Sequence, residues 1–223
     1  MSTSLLITTL DEIDGIKKIL PEIKKEWVDE IIIVDGGSID GTVEKAREMG
    51  FKVIKQKILG YGGAILAGIE ESTGDKIIIF GADGSNETSE IPQLVEKRLE
   101  GFDQVIISRF GKTSINEDAG IIDGFGNKMF SFITNILFGG KFTDALTSSR
   151  LFTRKALLEI ALDELSLCAV EQITIRGLKR KQRFYEIIGN ERARIGGERK
   201  MRRVPTGTAL VALIIKEFIF WKI

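Results

Sequence analysis

Carboxylates recur where runs of β-branched residues stop. Asp35 closes EIIIVD and is followed by Gly36-Gly37; Asp83 follows KIIIFGA and opens an Asp-Gly-Ser-Asn run; Asp11-Glu12 follow LLITTL. A carboxylate placed as Asp35 is can accept from the ring N–H of uracil or guanine, and the two glycines let the backbone approach a ligand closely. Ser38 and Asp40, just beyond, suit the cap of a following helix, a structural task. Asp83 is a hard oxygen donor of the kind that holds Mg²⁺ or Mn²⁺, which there would reach a diphosphate and offset charge on a leaving group. The same residue also fits a plain turn. Gly60-Tyr61-Gly62-Gly63 precedes an alanine-rich helical stretch, and glycines before a helix start suit phosphate approach. Ser108-Arg109 ends a further apolar run.

These loops form one site only if the runs before them lie side by side. The pattern predicts that they do. Strands are expected at Leu5–Thr9, Glu30–Asp35, Phe51–Lys55, Lys76–Phe80 and Gln104–Ser108, alternating with helices over Ile13–Lys25, Thr42–Met49, Gly62–Ser72 and Ile91–Leu99. Near-continuous Ile/Val strands alternating with helices mean a parallel sheet covered on both faces. In such sheets ligands sit beyond the carboxyl ends of the strands, where all five loops fall. Further helices are expected over Asn127–Phe138, Arg154–Ile160 and Ser166–Lys179, with a strand over Arg183–Ile188; Asp144 and a Thr-Ser-Ser-Arg run ending at Arg150 lie between the first two.

Composition narrows the chemistry. The chain has 223 residues, 43% apolar, enough for one large domain with a continuous core. Histidine is absent, which excludes Ser-His-Asp hydrolysis and histidine metal cages. The single Cys168 argues against a disulfide scaffold or cysteine-rich zinc module and for a reducing compartment. No basic segment precedes the first apolar run, so no signal peptide is expected. There is no Gly-Lys-Ser/Thr, and Ile65 breaks the dinucleotide glycine pattern, which argues against a P-loop ATPase and an NAD enzyme. Between Arg176 and Arg203 eleven Lys/Arg face three Glu, a local +8 in a chain of zero net charge. Such a block suits phosphates or an anionic membrane, or is simply solvated. Two aromatics within it are too few for a nucleic-acid stacking platform. The last stretch, from Thr208, is sixteen apolar-rich residues interrupted by Lys216-Glu217. As a helix it reaches about 24 Å, short of a membrane crossing. It reads as an interfacial helix with Phe220 and Trp221 at headgroup level, or as one packed on the core. The expected division is a domain over 1–205 and this helix over 206–223.

Taken in order, VDGGSIDGT, GYGGAILAGIEESTGD, the strand ending ADGSN and the Ser-Arg-Phe tripeptide resemble the family 2 nucleotide-sugar glycosyltransferases, nearest the dolichyl- and polyprenyl-phosphate sugar synthases. Asp144 through Arg150, Glu171, and Arg194–Lys200 are similar to later motifs of that family. The resemblance implies the GT-A fold, α/β with a mostly parallel sheet. It implies inverting transfer from a GDP- or UDP-sugar to a polyprenyl or dolichyl phosphate, at the cytoplasmic face of a membrane. Carried over by position, Thr8, Leu10 and Glu12 border base and ribose, and Asp35 binds the base. Gly62 lies by the donor, and Arg109 by sugar or phosphate. Asp83, helped by Ser85, holds Mg²⁺ or Mn²⁺. Asp144 and Glu171 face donor sugar or acceptor as catalytic carboxylates, and Arg150, Arg194 and Lys200 contact diphosphate or acceptor phosphate. The chain departs from the pattern in four places: Gly81 replaces the first Asp of the D-x-D, Thr8 replaces a Pro, Arg199 replaces a Ser, and Asp123–Gly126 stand where an Arg is usual. Alternatives are a hydroxyl acceptor, which would need Asp144 or Glu171 as base, and a nucleotide-binding protein without turnover. A nucleotidyltransferase is disfavoured because Thr9-Leu10-Asp11 lacks the Gly-rich, basic signature after the first strand. Oligomeric state is open.

Overall fold

The apolar runs form the strands expected of them, and one more. The computed structural model describes residues 2–98 and 100–220; Trp221 lies outside the described residues, as does Leu99. Strands β1 (Thr3–Thr9), β2 (Glu30–Asp35), β3 (Lys52–Lys55), β4 (Lys76–Gly81), β5 (Gln104–Ser108), β6 (Arg150–Thr153) and β7 (Phe184–Ile188) make one sheet in the order β3-β2-β1-β4-β6-β5-β7. β1 to β4 pair in parallel, as do β5 and β7, while β6 runs antiparallel to both β4 and β5. β6 was not expected. It is four residues long and begins with an arginine, so only its neighbours, through pairs such as Ile78↔Leu151, hold it extended.

Register brings the chemistry to one rim. Thr9 pairs with Asp35 and Thr8 with Gly81, so the loops after β1, β2 and β4 leave the sheet side by side. Alternate residues serve opposite faces. Leu5, Ile7, Ile33, Ile78 and Phe80 join one core, while Leu6, Ile32, Val34, Ile77 and Ile79 join the other. This two-sided burial is why the strands read as unbroken apolar runs. The flanking helices are α1 (Ile13–Ile19), α2 (Thr42–Glu48), α3 (Tyr61–Glu71), α4 (Glu90–Arg98), α5 (Ile121–Phe138), α6 (Arg154–Glu159), α7 (Ala169–Lys179) and α8 (Arg203–Ile219). α1 ends earlier than its periodicity suggests because Pro21 turns the chain into a 3₁₀ turn at Leu20–Glu22.

α8 begins at Arg203, so a boundary at 205/206 would cut through it. One face of α8 packs on the domain: Leu210, Leu213 and Ile214 share a core with Phe130 of α5 and Ile175 of α7. The Lys216-Glu217 pair that interrupts its apolar run divides between environments. Glu217 is fully buried and accepts from Arg176 Nε at 2.9 Å and Gln172 Nε2 at 3.0 Å, whereas Lys216 is exposed, 3.8 Å from Asp163. Among the described residues no helix is long and apolar enough to cross a membrane.

Candidate active site at the carboxyl rim of the sheet

The loop after β2 is organised by its own carboxylates. Asp35 accepts from the backbone N–H of Gly37 at 2.9 Å and of Ser38 at 3.0 Å, and Gly37 takes φ 108°, open to glycine without strain. The cap position of α2 is Gly41, while Asp40 accepts from the N–H of Thr42, the first residue of the helix. Through Asp11 N and Ile13 N, Ser38 and Asp40 also tie this loop to the one after β1. Ser38 Oγ accepts from Asp11 N at 2.9 Å, and Asp40 accepts from Ile13 N and Thr42 N, each at 3.0 Å.

Gly60 at the cap of α3 and Gly62 and Gly63 in its first turn allow close backbone packing. A Cβ at Gly62 would lie 2.0 Å from Glu164 O, one at Gly60 2.2 Å from Leu165 O, and one at Gly63 2.0 Å from Ile58 O. Gly62 N–H donates to Leu165 O at 2.9 Å. The expected donor contact at Gly62 thus lies beside backbone that packs closely on the chain at 164–165.

Asp83 stands at the end of β4, and Ser85 steadies it: Ser85 N and Oγ donate to Asp83 Oδ1 at 3.0 and 2.8 Å. Arg194 comes to it from far along the sequence. Its Nη2 donates to Asp83 Oδ2 at 2.9 Å and its Nη1 to Glu12 Oε1 at 2.6 Å. Burial pushes the Glu12 carboxyl up, against the opposing pull of Arg194. The segment carrying Arg194 is strapped over the rim by backbone bonds, Arg192 N to Ser85 O at 2.8 Å and Ile195 N to Asp83 O at 2.9 Å. Thr8 and Leu10 border the same rim, Thr8 buried and Leu10 exposed, and Lys200 is exposed at the strap's end.

Among the described residues no three carboxylate, thiol or imidazole groups converge as a closed metal cage. The donor set nonetheless fits Mg²⁺ or Mn²⁺ in the mode where one or two carboxylates share the ion with substrate phosphates. Asp83 supplies one such carboxylate, while the Ser85 hydroxyl is already engaged with it. Gly81 adds none, although a Cβ there would meet only ordinary contacts at 3.5 Å and beyond.

A second cluster lies beside the first. Asp144, fully buried, accepts from Arg109 Nε at 2.7 Å, Arg109 Nη2 at 3.1 Å, Arg109 N at 3.1 Å and Asn127 Nδ2 at 3.0 Å. Burial alone would raise its carboxyl, but the Arg109 guanidinium outweighs that and holds it below the usual carboxylate range. Arg109 also donates from Nη1 to Glu191 Oε1 at 3.0 Å. Arg109 thus meets carboxylates rather than an open cleft. Sequence reasoning missed Glu191 and Asn127; their partners are 82 and 17 residues away, and nothing local marks them.

Two expected site residues are interior. Arg150 is fully buried; its Nε donates to Thr147 O at 2.9 Å and its Nη1 to Thr174 Oγ1 at 3.0 Å, while Nη2 donates to Thr147 O. Burial pushes the guanidinium down to about 10. It holds the 145–147 turn and is not placed to contact an acceptor phosphate. Glu171 is fully buried too: Oε1 accepts from Thr134 Oγ1, Oε2 has no hydrogen-bond partner among the described residues, and burial pushes the carboxyl up to about 7.

A rim of this kind, on this sheet, belongs to a recognisable class. The chain is a member of glycosyl transferase family 2, whose description matches residues 4–161. Glycosyltransferase AglJ of Haloferax volcanii is 27% identical over 165 residues, 71% of this chain, and the chain spans only 52% of that relative. A dolichyl-phosphate hexose transferase of the same organism is 27% identical over 215 residues, covering 96% of this chain and 92% of that protein. Glucosyl-3-phosphoglycerate synthase of Mycobacterium tuberculosis, solved with Mn²⁺, UDP-glucose and glycerol 3-phosphate, matches 99% of this chain and 81% of its own with a TM-score of 0.76 at 18% identity. That likeness speaks for the fold, which is the GT-A fold expected.

Proposed function

We propose that the chain transfers a sugar from a GDP- or UDP-sugar to a polyprenyl or dolichyl phosphate at a membrane surface, with inversion. The observation that carries the reading is the apolar surface left bare on α5 and α8. Ile121, Phe125, Phe132 and Ile136 of α5 share one helical face and are 94%, 70%, 64% and 64% exposed. Val211, Ile215 and Phe218 of α8, which packs against α5, are exposed as well. Lys200 and Arg202 are exposed where the strap leads into α8. Uncovered aliphatic and aromatic side chains beside basic ones suit an anionic bilayer in which the acceptor resides.

In this reading Asp35 recognises the base, with Thr8, Leu10 and Glu12 beside base and ribose. Asp83, braced by Ser85, would hold Mg²⁺ or Mn²⁺ jointly with the donor diphosphate, and the ion would act as a Lewis acid on the leaving group. Arg194 and Lys200 offset charge growing on the diphosphate as it departs. An acceptor phosphate oxygen attacks the anomeric carbon opposite the diphosphate. The new O–C bond forms as the old C–O bond breaks, and its electron pair leaves with the nucleoside diphosphate. The loops of the rim supply alignment. A phosphate monoester is already ionised, so no base is needed; this suits a site whose carboxylates Asp144 and Glu171 are both fully buried. Relatives bearing dolichyl-phosphate transferase names add support.

The test is incubation of the protein with a panel of GDP- and UDP-sugars, divalent metal and polyprenyl phosphate in vesicles. The expected product is a lipid-linked sugar released by mild acid, as glycosyl phosphates are. A product stable to mild acid, or donor hydrolysis without transfer, would overturn the acceptor assignment. Transfer that persists within a few-fold in Asp83→Ala would overturn the role of Asp83.

A further inference from the structure

Glu191 stands where the strap, the loop after β5 and the Arg109–Asp144 pair meet. It is 5% exposed, and both its main-chain polar atoms and both its carboxylate oxygens are engaged. Oε1 accepts from Arg109 Nη1 at 3.0 Å and Oε2 from Asn116 Nδ2 at 2.6 Å. Its N–H donates to Ile115 O at 2.9 Å, and its carbonyl accepts from Glu117 N at 2.7 Å. Beside it, Asn190 Oδ1 accepts from Ile115 N at 2.9 Å. Residues 115–117 of the loop between β5 and α5 are therefore held to the strap at Glu191 and its neighbour. Asn116 passes the hold towards α5 by accepting from Ala119 N at 2.7 Å.

The opposite side of the strap is fastened by other means. Arg192 N, Ile195 N and both Arg194 Nη atoms bond to Ser85, Asp83 and Glu12 without the Glu191 carboxylate. Removing that carboxylate loosens one side of the rim and leaves the other in place. Arg109 would keep Asp144 through Nε and Nη2. Asp144, Arg109 and Glu191 are two carboxylates around one guanidinium, so the loss does not strand an unpaired buried charge, the severe case. We infer that Glu191 is a positioning residue: its carboxylate fixes Arg109 and the 115–117 turn against the strap and so sets the acceptor side of the rim, while the donor side is held without it. The loop it fixes runs into α5, whose bare apolar face meets the bilayer in the reading above, and thus borders the path of a lipid acceptor. The kinetic consequence rests on that reading; the fastening itself does not.

The experiment compares the unaltered chain with Glu191→Ala, Glu191→Gln and Asn116→Ala. Limited trypsin digestion, with cleavage after the exposed Lys112 followed by mass spectrometry, reports on the loop without any substrate. Cleavage is expected to be about tenfold faster in Glu191→Ala, the size expected of one lost charge-assisted hydrogen bond when proteolysis follows the open population. Asn116→Ala should share the increase, and combining the two should add little, because they remove one contact. Glu191→Gln keeps one acceptor oxygen and should be intermediate. If melts show Glu191→Ala globally unfolded, the Gln and Asn116 variants carry the comparison. In transfer to polyprenyl phosphate, loss of the Glu191 carboxylate is expected to lower kcat or raise the acceptor KM about tenfold or more, as misplacement near the chemistry does. Affinity for whichever of UDP or GDP the unaltered chain binds should stay within a few-fold, and Glu191→Gln should restore part of the transfer. Unchanged cleavage, faster cleavage with unchanged kinetics, or an equal loss of nucleotide affinity and turnover overturns the inference. Should the unaltered chain bind nucleotide yet transfer nothing to polyprenyl phosphate, the transfer reading falls, and the cleavage ratios alone uphold or overturn the fastening.

Discussion

Glu171 places a pH-dependent liability in the interior. It is fully buried between α5 and α7, and burial raises its carboxyl from 4.5 to about 7. An acid whose native pKa lies above its unfolded one holds its proton more firmly when folded. Its contribution is fully present below about pH 4.5 and is lost as pH rises through 7. At about 1.4 kcal/mol per unit, complete deprotonation costs about 3 kcal/mol. Glutamine keeps the oxygen that accepts from Thr134 and never ionises. Glu171→Gln should match the unaltered chain near pH 5 and exceed it by about 3 kcal/mol at pH 8.5, or about 6–12 °C in melting temperature for a domain of this size. Calorimetric melts of both proteins from pH 5 to 8.5 decide it. Glu90, also raised to about 7 by burial, gives the same sign, so the comparison is repeated with Glu90→Gln in both. Melting curves that stay parallel across the range would refute the reasoning. The same variant separates structure from chemistry: if Glu171 is only interior, transfer at pH 7 stays within a few-fold.

Gly81→Asp has room for its side chain and a backbone without a left-handed requirement, so it should fold normally and bind Mn²⁺ more tightly with UDP or GDP present. Isothermal titration reads this, and unchanged affinity would mean that residue 81 faces away from the ion. Phe125→Asp with Phe132→Asp should abolish co-sedimentation with anionic vesicles while changing stability by about 0.5 kcal/mol or less, as expected for exposed positions. Retained vesicle binding would move the membrane contact elsewhere.

The sheet was legible because its strands are buried on both faces and carry their own signal. Six of the seven strands follow from Ile/Val runs; β6 does not, because a four-residue strand headed by Arg150 exists only through β4 and β5. The rim was legible for the same reason: Asp35 and Asp83 end runs that could be placed. What sequence alone left out was the packing around glycines and arginines. Gly62 looks alike before a phosphate and before a packed carbonyl, and only the position of Glu164 shows the carbonyl. Arg150 and Glu171 match family motifs, but motif position says nothing about depth. Residues that meet across the chain, such as Glu191 with Arg109 and Arg194 with Glu12, carry no local mark at all.

The basic block shows how such pairing changes a functional argument. Its +8 reads as a field that attracts phosphates. In the fold, Arg192 pairs with Glu87, Arg194 with Glu12 and Asp83, Arg199 with Asp118 and Asp123, and Arg203 with Asp123. Asp123 stands where an arginine was expected, and it turns a would-be acceptor contact into an anchor between the strap and α5. Most of the block's charge is therefore balanced before any ligand arrives, and long-range attraction is weaker than composition suggests. A phosphate that takes Arg194 Nη1 or Nη2 does so by displacing Glu12 or Asp83, so that part of its affinity is a difference between two charge-assisted contacts. Such exchange favours a ligand that brings its own cation to satisfy the carboxylates left behind. That is the property a metal-bound diphosphate has and a free phosphate lacks.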